Sequence, residues 1–297
     1  MTFGWGHADF PVVPGDEIVG HITAIGPDVK HLQVGDRVGV GALIYSCQQK
    51  DTCKECAADR DTHCSKRVYV YDAKYADGEK AYGGYAEFVR VSGHYAFKIP
   101  EVIPSAAAAP LLCAGVTAYK GLQSVKPGMR VGVVGIGGLG HLGLQFAKAL
   151  GGVPVAFSHS PDKEQAAREF GAEDFVLCSD PEAVAKAKRS VDVLLVTADA
   201  KEQPWDTYLS FVAVGGAMVL VGVPDDKVTF RPHSLIAGNV SFVGNLIAGK
   251  KDMVDMLKLA AEKGVRSVVQ TLPMSKANEG IAMVAEGKVR FRLVLEN

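Results

Sequence analysis

Residues 131–151, VGVVGIGGLGHLGLQFAKALG, run from a short apolar strand through a G-x-G-x-x-G turn into an amphipathic helix. Each glycine of this spacing meets a separate need. Gly135 permits the tight turn, Gly137 lets the backbone approach a pyrophosphate, and Gly140 lets helix and strand pack closely. The helix N-terminus then offers free N–H groups to phosphates. We predict that this segment is a dinucleotide-binding turn; the alternative is an ordinary glycine-rich turn. The turn comprises Gly135, Ile136, Gly137, Gly138, Leu139 and Gly140.

Five further strand-like runs follow this turn and are separated by helical segments. They span residues 153–157, 174–177, 191–196, 217–221 and 240–243. Ser160 and Pro161 suit a helix start, and Gly171 suits a helix end. With the opening strand, the six strands predict the doubly wound parallel sheet of a dinucleotide-binding α/β domain.

Residues 16–100 carry short strands and glycine turns in place of this alternation. The runs at 17–25, 34–40, 85–91 and 95–99 predict strands of a small β-barrel. Helical stretches around 106–112 and 115–122 lead to the glycine-rich turn. Near the C-terminus, a helix, a strand, a helix and a strand are predicted in turn at 251–263, 267–271, 276–286 and 289–295.

The bulk composition excludes several classes of partner. With 32 basic and 33 acidic residues, the chain gives no reason to expect nucleic acid or an anionic membrane. The N-terminus lacks the basic start and apolar core of a signal peptide. Three uncharged runs, at 102–119, 207–224 and 232–249, are each broken by proline or glycine, which suits buried elements. We therefore expect a soluble cytoplasmic protein, large enough at 297 residues for two domains.

Four cysteines gather in one polar loop, SCQQKDTCKECAADRDTHC, at residues 46–64. Cys47, Cys53, Cys56 and Cys64 have the spacing C-x5-C-x2-C-x7-C, and four thiolates can close a tetrahedral zinc site with no position open to substrate. Clustered cysteines in a reducing compartment favour metal over disulfides. We predict a structural Zn²⁺ in this loop, with four unrelated surface thiols as the alternative. His63 is expected to be solvated, because four sulfurs already complete the site.

Together these motifs resemble the zinc-containing medium-chain alcohol dehydrogenases, and among them the NADP-dependent cinnamyl alcohol dehydrogenase branch. Besides the cysteine loop and the glycine-rich turn, four stretches carry the likeness: PGDEIVG at 14–20, VGDRVGV at 34–40, YGGYA at 82–86 and APLLCAG at 109–115. The likeness extends over nearly the whole chain, and as a set these motifs are specific.

The resemblance implies an α/β fold in which a Rossmann domain interrupts a GroES-like β-barrel catalytic domain. The catalytic domain with the zinc loop would comprise residues 1–110 and 250–297, and the NADP-binding domain residues 111–249. The implied activity is hydride exchange between NADP(H) and a primary alcohol or aldehyde. A catalytic zinc would polarise the substrate oxygen as a Lewis acid.

The family's catalytic zinc takes an N-terminal cysteine, the histidine of a G-H-E motif, and a second cysteine that matches Cys113. Here that motif reads Gly15-Asp16-Glu17, so an anion stands in place of a neutral imidazole. Beside the Cys113 thiolate, Asp16 would lower the effective charge of the metal and hence its Lewis acidity. Asp16, Glu17 and Cys113 are the candidate catalytic and metal-ligating residues. His7 is a possible substitute ligand, but we expect it to be solvated.

The chain begins after the place of the family's first catalytic cysteine and its neighbouring proton-relay residues. The resemblance therefore implies an N-terminally truncated catalytic domain with exposed strand edges. Two explanations stay open at this point: a truncated product or gene model of an ordinary dehydrogenase, or a natural remnant whose alcohol chemistry is weak or absent.

The end of the second strand of a nucleotide domain distinguishes NAD from NADP. Here it reads FSHSPDK at 157–163, with no carboxylate at the strand end. By resemblance, Ser158, Ser160 and Lys163 would donate to the 2′-phosphate of NADP. The alternative is that Ser160 caps the next helix and Lys163 is solvated.

The resemblance also marks the nicotinamide half of the cofactor site. Thr117, Gly222 and Val223 match positions that meet the nicotinamide, and Asn245 and Leu246 fall in a segment that lines it. Family members are commonly homodimers joined through the edge of the nucleotide-domain sheet, which here is predicted at 240–244.

Three functional hypotheses follow. The first is an NADP(H)-dependent zinc-type alcohol dehydrogenase or aldehyde reductase. The second is a zinc-independent medium-chain reductase, although zinc-free members generally lack both Cys113 and the cysteine loop. The third is a catalytically impaired NADP-binding remnant that keeps only the structural zinc.

Overall fold

The computed structural model describes residues 8–224 and 226–297, so His7 lies outside the described residues. The chain divides into two compact units, Met1–Val116 with Ile247–Asn297 and Thr117–Leu246. Within the described ranges, no helix is both long and apolar enough to cross a membrane.

The N-terminal part of the first unit is built from short strands. These are β1 (Ile18–His21), β2 (Arg37–Val40), β3 (Leu43–Tyr45), β4 (Val68–Tyr69), β5 (Ala73–Lys74), β6 (Lys80–Ala81) and β7 (Phe97–Lys98). Three helices follow or interleave with them: α1 (Lys54–Ala57), α2 (Ser105–Ala108) and α3 (Ala114–Gly121), which ends in the second unit.

One antiparallel sheet of three strands, in the order β1-β2-β7, anchors this part of the chain. In the central strand, Gly39 pairs with Val19 on one side and with Phe97 on the other. A Cβ at Gly39 would lie 2.7 Å from the Leu112 side chain, so glycine lets the segment before α3 pack directly on the sheet. Strands β3 with β4 and β5 with β6 form separate antiparallel pairs.

Two expectations for this region need correction. The run 85–91 is irregular and not a strand, because within the described residues no strand lies alongside it and Phe88 is 72% exposed. The run 95–99 is reduced to the two residues of β7, preceded by a 3-10 helix at Gly93–Tyr95. In place of the predicted barrel, the described strands of this region form one three-stranded sheet and two short pairs.

The second unit alternates strands and helices. Its strands are β8 (Arg130–Val134), β9 (Val153–Ser158), β10 (Asp174–Leu177), β11 (Val191–Val196), β12 (Val212–Leu220) and β13 (Ser241–Gly244). Its helices are α4 (Gly140–Ala149), α5 (Glu164–Glu169), α6 (Pro181–Lys186), α7 (Trp205–Phe211) and α8 (Pro232–Ile236).

All six strands pair in parallel in the order β10-β9-β8-β11-β12-β13. This order, which reverses beside β8, is that of the doubly wound sheet predicted from the sequence. The strand residues Phe157 and Leu194 are fully buried, and so is Phe211 of α7, whose ring packs on that of Phe157. Apolar strands of this kind are typical of a parallel sheet covered by helices. The carboxyl end of β8 thus lies where such sheets bind their ligands.

The C-terminal segment belongs to the first unit. It contains α9 (Lys250–Lys263), β14 (Val269–Pro273), α10 (Ala277–Ala285) and β15 (Arg292–Glu296). Strands β14 and β15 pair in parallel, and α10 packs on them with Gly280 against Leu293. These elements match the four predicted from the sequence, within a few residues at each end.

Candidate functional site

The turn after β8 meets each steric demand of a phosphate-binding loop. Gly135 has φ +87°, which glycine adopts without strain. A Cβ at Gly137 would have nothing within 4 Å, so this backbone is open to a close-lying group. A Cβ at Gly140 would lie 1.8 Å from the carbonyl oxygen of Gly135, so only glycine permits this approach of α4 to the strand. Gly138 and Leu139 complete the turn into the helix.

The end of β9 presents hydroxyl groups next to this turn. Ser158 is buried, and its Oγ accepts from the N–H of Ser160 at 3.1 Å and donates to the Ser160 carbonyl at 3.2 Å. Ser160 precedes the 3-10 helix Pro161–Lys163, but its side chain makes no capping hydrogen bond. Ser160 therefore occupies the N-cap position, as the alternative interpretation has it, but its hydroxyl is not used for capping. Lys163 ends that 3-10 helix and is half-buried.

Further along the same sheet edge, the residues matched to the nicotinamide half lie together. Asn245 donates from Nδ2 to the Thr117 carbonyl at 3.3 Å, and its N–H donates to Leu220 at the end of β12. Gly222 donates to the Val196 carbonyl at 3.1 Å, which brings its backbone against β11. Val223 and Leu246 are exposed beside them. These residues therefore lie together at one edge of the parallel sheet in the second unit.

The four loop cysteines form a compact thiol cluster. All four sulfurs lie within 4.8 Å of one another, and Cys47 Sγ is 3.6 Å from the sulfurs of both Cys56 and Cys64. A regular tetrahedron of Zn–S bonds of about 2.3 Å would place its sulfurs about 3.8 Å apart. The donor set and the spacing thus fit a zinc ion. His63 is exposed and outside the cluster, as predicted.

Backbone groups and burial set the acidity of these thiols. The N–H of Cys56 lowers the pKa of Cys53 to about 7, chiefly by hydrogen bonding to its sulfur. Burial raises the pKa of Cys56 to about 12. The Lys66 N–H also donates to Cys64 Sγ, at 3.4 Å. Metal binding at this cluster must therefore displace protons, above all from Cys56.

A second polar cluster surrounds Cys113 in the first unit. Glu17, which immediately precedes β1, forms a salt bridge with Arg292 of β15, and its Oε1 accepts from the Ala114 N–H at 3.1 Å. Burial raises the pKa of Cys113 well above its usual value, and the negative charge of Asp16 and a hydrogen bond to it add to the effect. Burial likewise raises the pKa of Glu17, against the attraction of Arg292.

Asp16, Glu17 and Cys113 are neighbours, but their ligand atoms are not gathered around a common point as the ligands of a metal would be. Among the described residues, the cysteine loop is the one group of three or more His, Cys, Asp or Glu whose ligand atoms lie within 4.8 Å of one another. Both oxygens of Glu17 already have partners. A metal at Cys113 therefore stays a prediction, and the arrangement seen there does not by itself fit one.

Sequence reasoning missed Arg292. The residue stands 275 positions from Glu17, in a strand predicted only from its apolar neighbours. Its one sequence signal is an arginine inside an apolar run, FRLVLE at 291–296, where a buried cation needs an acidic partner.

A groove of about 930 Å³ also lies in the first unit. Its lining includes Gln48, Asp61 and Lys250, together with much of one face of α9. None of the three candidate catalytic residues lines it, so the groove and the Cys113 cluster are separate features.

Comparison with known proteins agrees with this architecture. The profile described as "Alcohol dehydrogenase GroES-like domain" matches residues 1–101, and that described as "Zinc-binding dehydrogenase" matches residues 138–262. A "Probable mannitol dehydrogenase" of Mesembryanthemum crystallinum is 37% identical over 296 residues, covering 98% of this chain and 81% of that protein.

Two solved structures are similar over almost the whole chain. A cinnamyl alcohol dehydrogenase of Sorghum bicolor superposes with a TM-score of 0.93 at 34% identity, covering 99% of this chain and 84% of that one. The CAD of Helicobacter pylori, complexed with NADP(H), superposes with a TM-score of 0.89 at 30% identity and the same coverage of 99% and 84%.

Proposed function

Because this chain belongs to the zinc-binding alcohol dehydrogenase family, we propose that it is an NADP(H)-dependent alcohol dehydrogenase and aldehyde reductase. Hydride would pass between the nicotinamide and a primary alcohol or aldehyde. The observation that carries the proposal is the edge of the parallel sheet, where an open glycine turn adjoins the hydroxyls of Ser158 and Ser160 with no carboxylate at the strand end. The complex of the 30% identical relative with NADP(H) supports the choice of nucleotide.

Residues of the second unit would hold and orient this cofactor. The open backbone at Gly137 admits the pyrophosphate, and α4 directs its N-terminus toward it. Ser158 is held by its two hydrogen bonds to Ser160, which leaves the Ser160 hydroxyl to reach a 2′-phosphate. Thr117 and Asn245, which are joined by a hydrogen bond, would contact the nicotinamide half of the cofactor. Bound NADP(H) then supplies or accepts the hydride.

The first unit would supply the substrate side of the reaction. Without a metal, burial and the charge of Asp16 raise the pKa of Cys113 and keep it a neutral thiol, so a catalytic zinc at Cys113 would have to displace that proton. Arg292 compensates the charge of Glu17, which in turn holds the Ala114 N–H at the start of α3. The structural zinc would be held by Cys47, Cys53, Cys56 and Cys64, and would fold a loop of low apolar content.

A second candidate function has its own support. Asp16 is hydrogen-bonded to Cys113, and Glu17 is engaged by Arg292 and Ala114, so the groups expected to ligate a catalytic metal are committed to one another. This favours, as the runner-up, an NADP-binding protein with impaired turnover.

Reduction of cinnamaldehyde with NADPH, with and without a chelator, tests both. Chelator-sensitive turnover supports the dehydrogenase, and chelator-insensitive turnover supports a zinc-independent reductase. Tight NADPH binding without turnover supports the impaired protein. If turnover is chelator-sensitive, Cys113→Ser should abolish it, while Cys178→Ser, at a partly buried cysteine just after β10, should not.

The proposal extends to assembly and compartment. Strand β13 ends the sheet of the second unit, and Val243 is exposed on it, so a second copy could extend the sheet across this edge as a homodimer. Light scattering well above assay concentrations should give twice the mass of the chain, and a monomer would count against the dimer. The free cysteines of the loop suit the reducing cytoplasm.

A further inference from the structure

A buried carboxylate ties the cysteine loop to α9. Asp61 is 5% exposed, and its two oxygens lie 3.2 and 3.3 Å from the backbone nitrogen of Lys250, whose N–H donates to them. Lys250 is the first residue of α9, and Gly249 before it has no side chain to cap the helix. A Cβ on Gly249 would lie 2.0 Å from Asp61 Oδ1, so the carboxylate itself occupies the capping position.

The same carboxylate begins a chain of hydrogen bonds that leads to a loop sulfur. Tyr95 Oη lies 2.7 Å from Asp61 Oδ2 and 2.8 Å from Ser46 Oγ. Gln48 Nε2 lies 2.8 Å from Tyr95 Oη and 2.6 Å from Ser46 Oγ. Ser46 Oγ in turn lies 3.6 Å from Cys56 Sγ. Tyr95 and Ser46 are each 2% exposed, so bulk water does not satisfy these groups.

Counting hydrogens gives this chain a direction. A carboxylate only accepts, so the single hydroxyl hydrogen of Tyr95 goes to Asp61. Burial raises the pKa of Tyr95, which keeps that hydrogen in place. Lys250 Nζ donates to Gln48 Oε1 at 3.0 Å and thereby turns the amide nitrogen toward Tyr95 and Ser46. The hydroxyl oxygen of Ser46 then accepts from Gln48. Its own hydrogen has two acceptors within reach, Tyr95 Oη at 2.8 Å and Cys56 Sγ at 3.6 Å, and the negative charge of a metal-bound thiolate favours the sulfur.

We propose that Asp61, Tyr95 and Ser46 are positioning residues for the metal in the cysteine loop, with Ser46 donating to the Cys56 thiolate. The inference rests on the zinc proposed for that loop. A hydrogen bond to a ligating sulfur orients it and stabilises its negative charge. Because the same chain ends on the first N–H of α9, filling the loop with metal also orders the first turn of that helix. The cysteine loop and α9 therefore form one metal-dependent assembly.

Cobalt(II) substitution provides the direct test for the sulfur contact. Ser46→Ala removes the donor to Cys56, which should move the thiolate-to-cobalt charge-transfer band to longer wavelength. It should also weaken zinc binding by about tenfold in competition with a chromogenic chelator. Asp59→Asn is the matched control, because Asp59 lies in the same loop and its side chain forms an exposed ion pair with Lys50, outside the hydrogen bonds that lead to Cys56. The control should keep the parent spectrum and affinity.

Hydrogen exchange tests the link to α9. In the parent protein, removing the metal should speed exchange of the Lys250 amide by about tenfold or more. In Tyr95→Phe the amide should exchange faster even with metal, and metal removal should add little. Asp59→Asn should behave as the parent does.

The outcomes separate this inference from the proposed zinc site. If the parent takes up no zinc or cobalt, the site itself is wrong and the inference falls with it. If the parent binds metal but Ser46→Ala keeps the parent spectrum and affinity, the proposed role of Ser46 and its hydrogen-bond chain is wrong, while the zinc site itself stands. Parent-like protection of the amides of β14 and β15 in the same exchange experiment shows that the first unit of each variant is folded.

Discussion

Replacing Arg292 by methionine would leave the Glu17 carboxylate without its cation. The two side chains are 27% and 17% exposed, so the pair is closer to a buried bridge than to a surface one. Removing one partner of a buried pair costs about 3–5 kcal/mol, and the residual exposure places this loss near 3 kcal/mol. For a unit of this size, that would lower the thermal midpoint of the first unit by roughly 6–12 °C.

The loss should depend on pH with a definite sign. Burial raises the pKa of Glu17, and the attraction of Arg292 opposes that rise, so removing Arg292 raises it further. At pH values between the pKa of Glu17 in the unfolded chain and its higher pKa in the native protein, the native state binds one proton more than the unfolded state. Stability therefore falls as pH rises through that window. Arg292→Met should therefore cost less at an acidic pH, where Glu17 is protonated in the native state, than at an alkaline pH, where it is ionised.

Scanning calorimetry at the two pH values would measure this. Glu17→Gln combined with Arg292→Met removes both charges and should recover most of the loss, because a neutral pair leaves no buried charge. Lys276→Met, which breaks an exposed pair with Glu279, should cost less than about 0.5 kcal/mol. An equal loss at both pH values, or no recovery in the double variant, would refute the argument.

Other predictions concern the nucleotide and the metal. Gly140→Ala should destabilise the second unit and abolish NADPH binding, because its Cβ would lie 1.8 Å from the Gly135 carbonyl oxygen. Gly137→Ala should leave the calorimetric midpoint unchanged but weaken NADPH at least tenfold in a fluorescence titration. Ser160→Asp should shift the preference from NADPH toward NADH, measured as the ratio of the two Kd values. Zinc uptake should release protons and strengthen as pH rises, because burial raises the pKa of Cys56 to about 12; proton release in weak buffer would measure it.

The second unit could be predicted from the sequence almost element by element. Its strands are apolar runs bounded by turn residues, and each strand pairs with neighbours whose order the glycine turn already implies. The roles of Gly135, Gly137 and Gly140 could be assigned because they depend on local sterics alone. The cysteine loop could be predicted for a similar reason, since its four ligands lie within 18 residues.

The first unit was less predictable because its features depend on partners distant in sequence. The run 85–91 has strand-like composition, yet β-propensity reflects packing against a neighbour, and the described residues supply none. Glu17 was named as a candidate from its motif, but its partner Arg292 could not be. Asp61 looks like one more acid in a polar loop until the fold brings Lys250 to it.

These distant ties also constrain how the first unit can form. Glu17 lies 275 residues from Arg292, and Asp61 lies 189 residues from Lys250. Thr117 and Asn245, at the two ends of the second unit, are hydrogen-bonded across 128 residues. Once the second unit is folded, the chain loops closed by the Glu17–Arg292 and Asp61–Lys250 contacts are therefore each shorter by these 128 residues.

Since loop closure costs about (3/2)RT ln n, this lowers the entropic cost by about 0.6 kcal/mol for the Glu17 pair and about 1 kcal/mol for the Asp61 contact. We expect β8–β13 to gain protection before β15 and the first turn of α9 in pulse-labelled hydrogen exchange during refolding. Simultaneous or earlier protection of β15 would show that the discontinuous unit closes without this help.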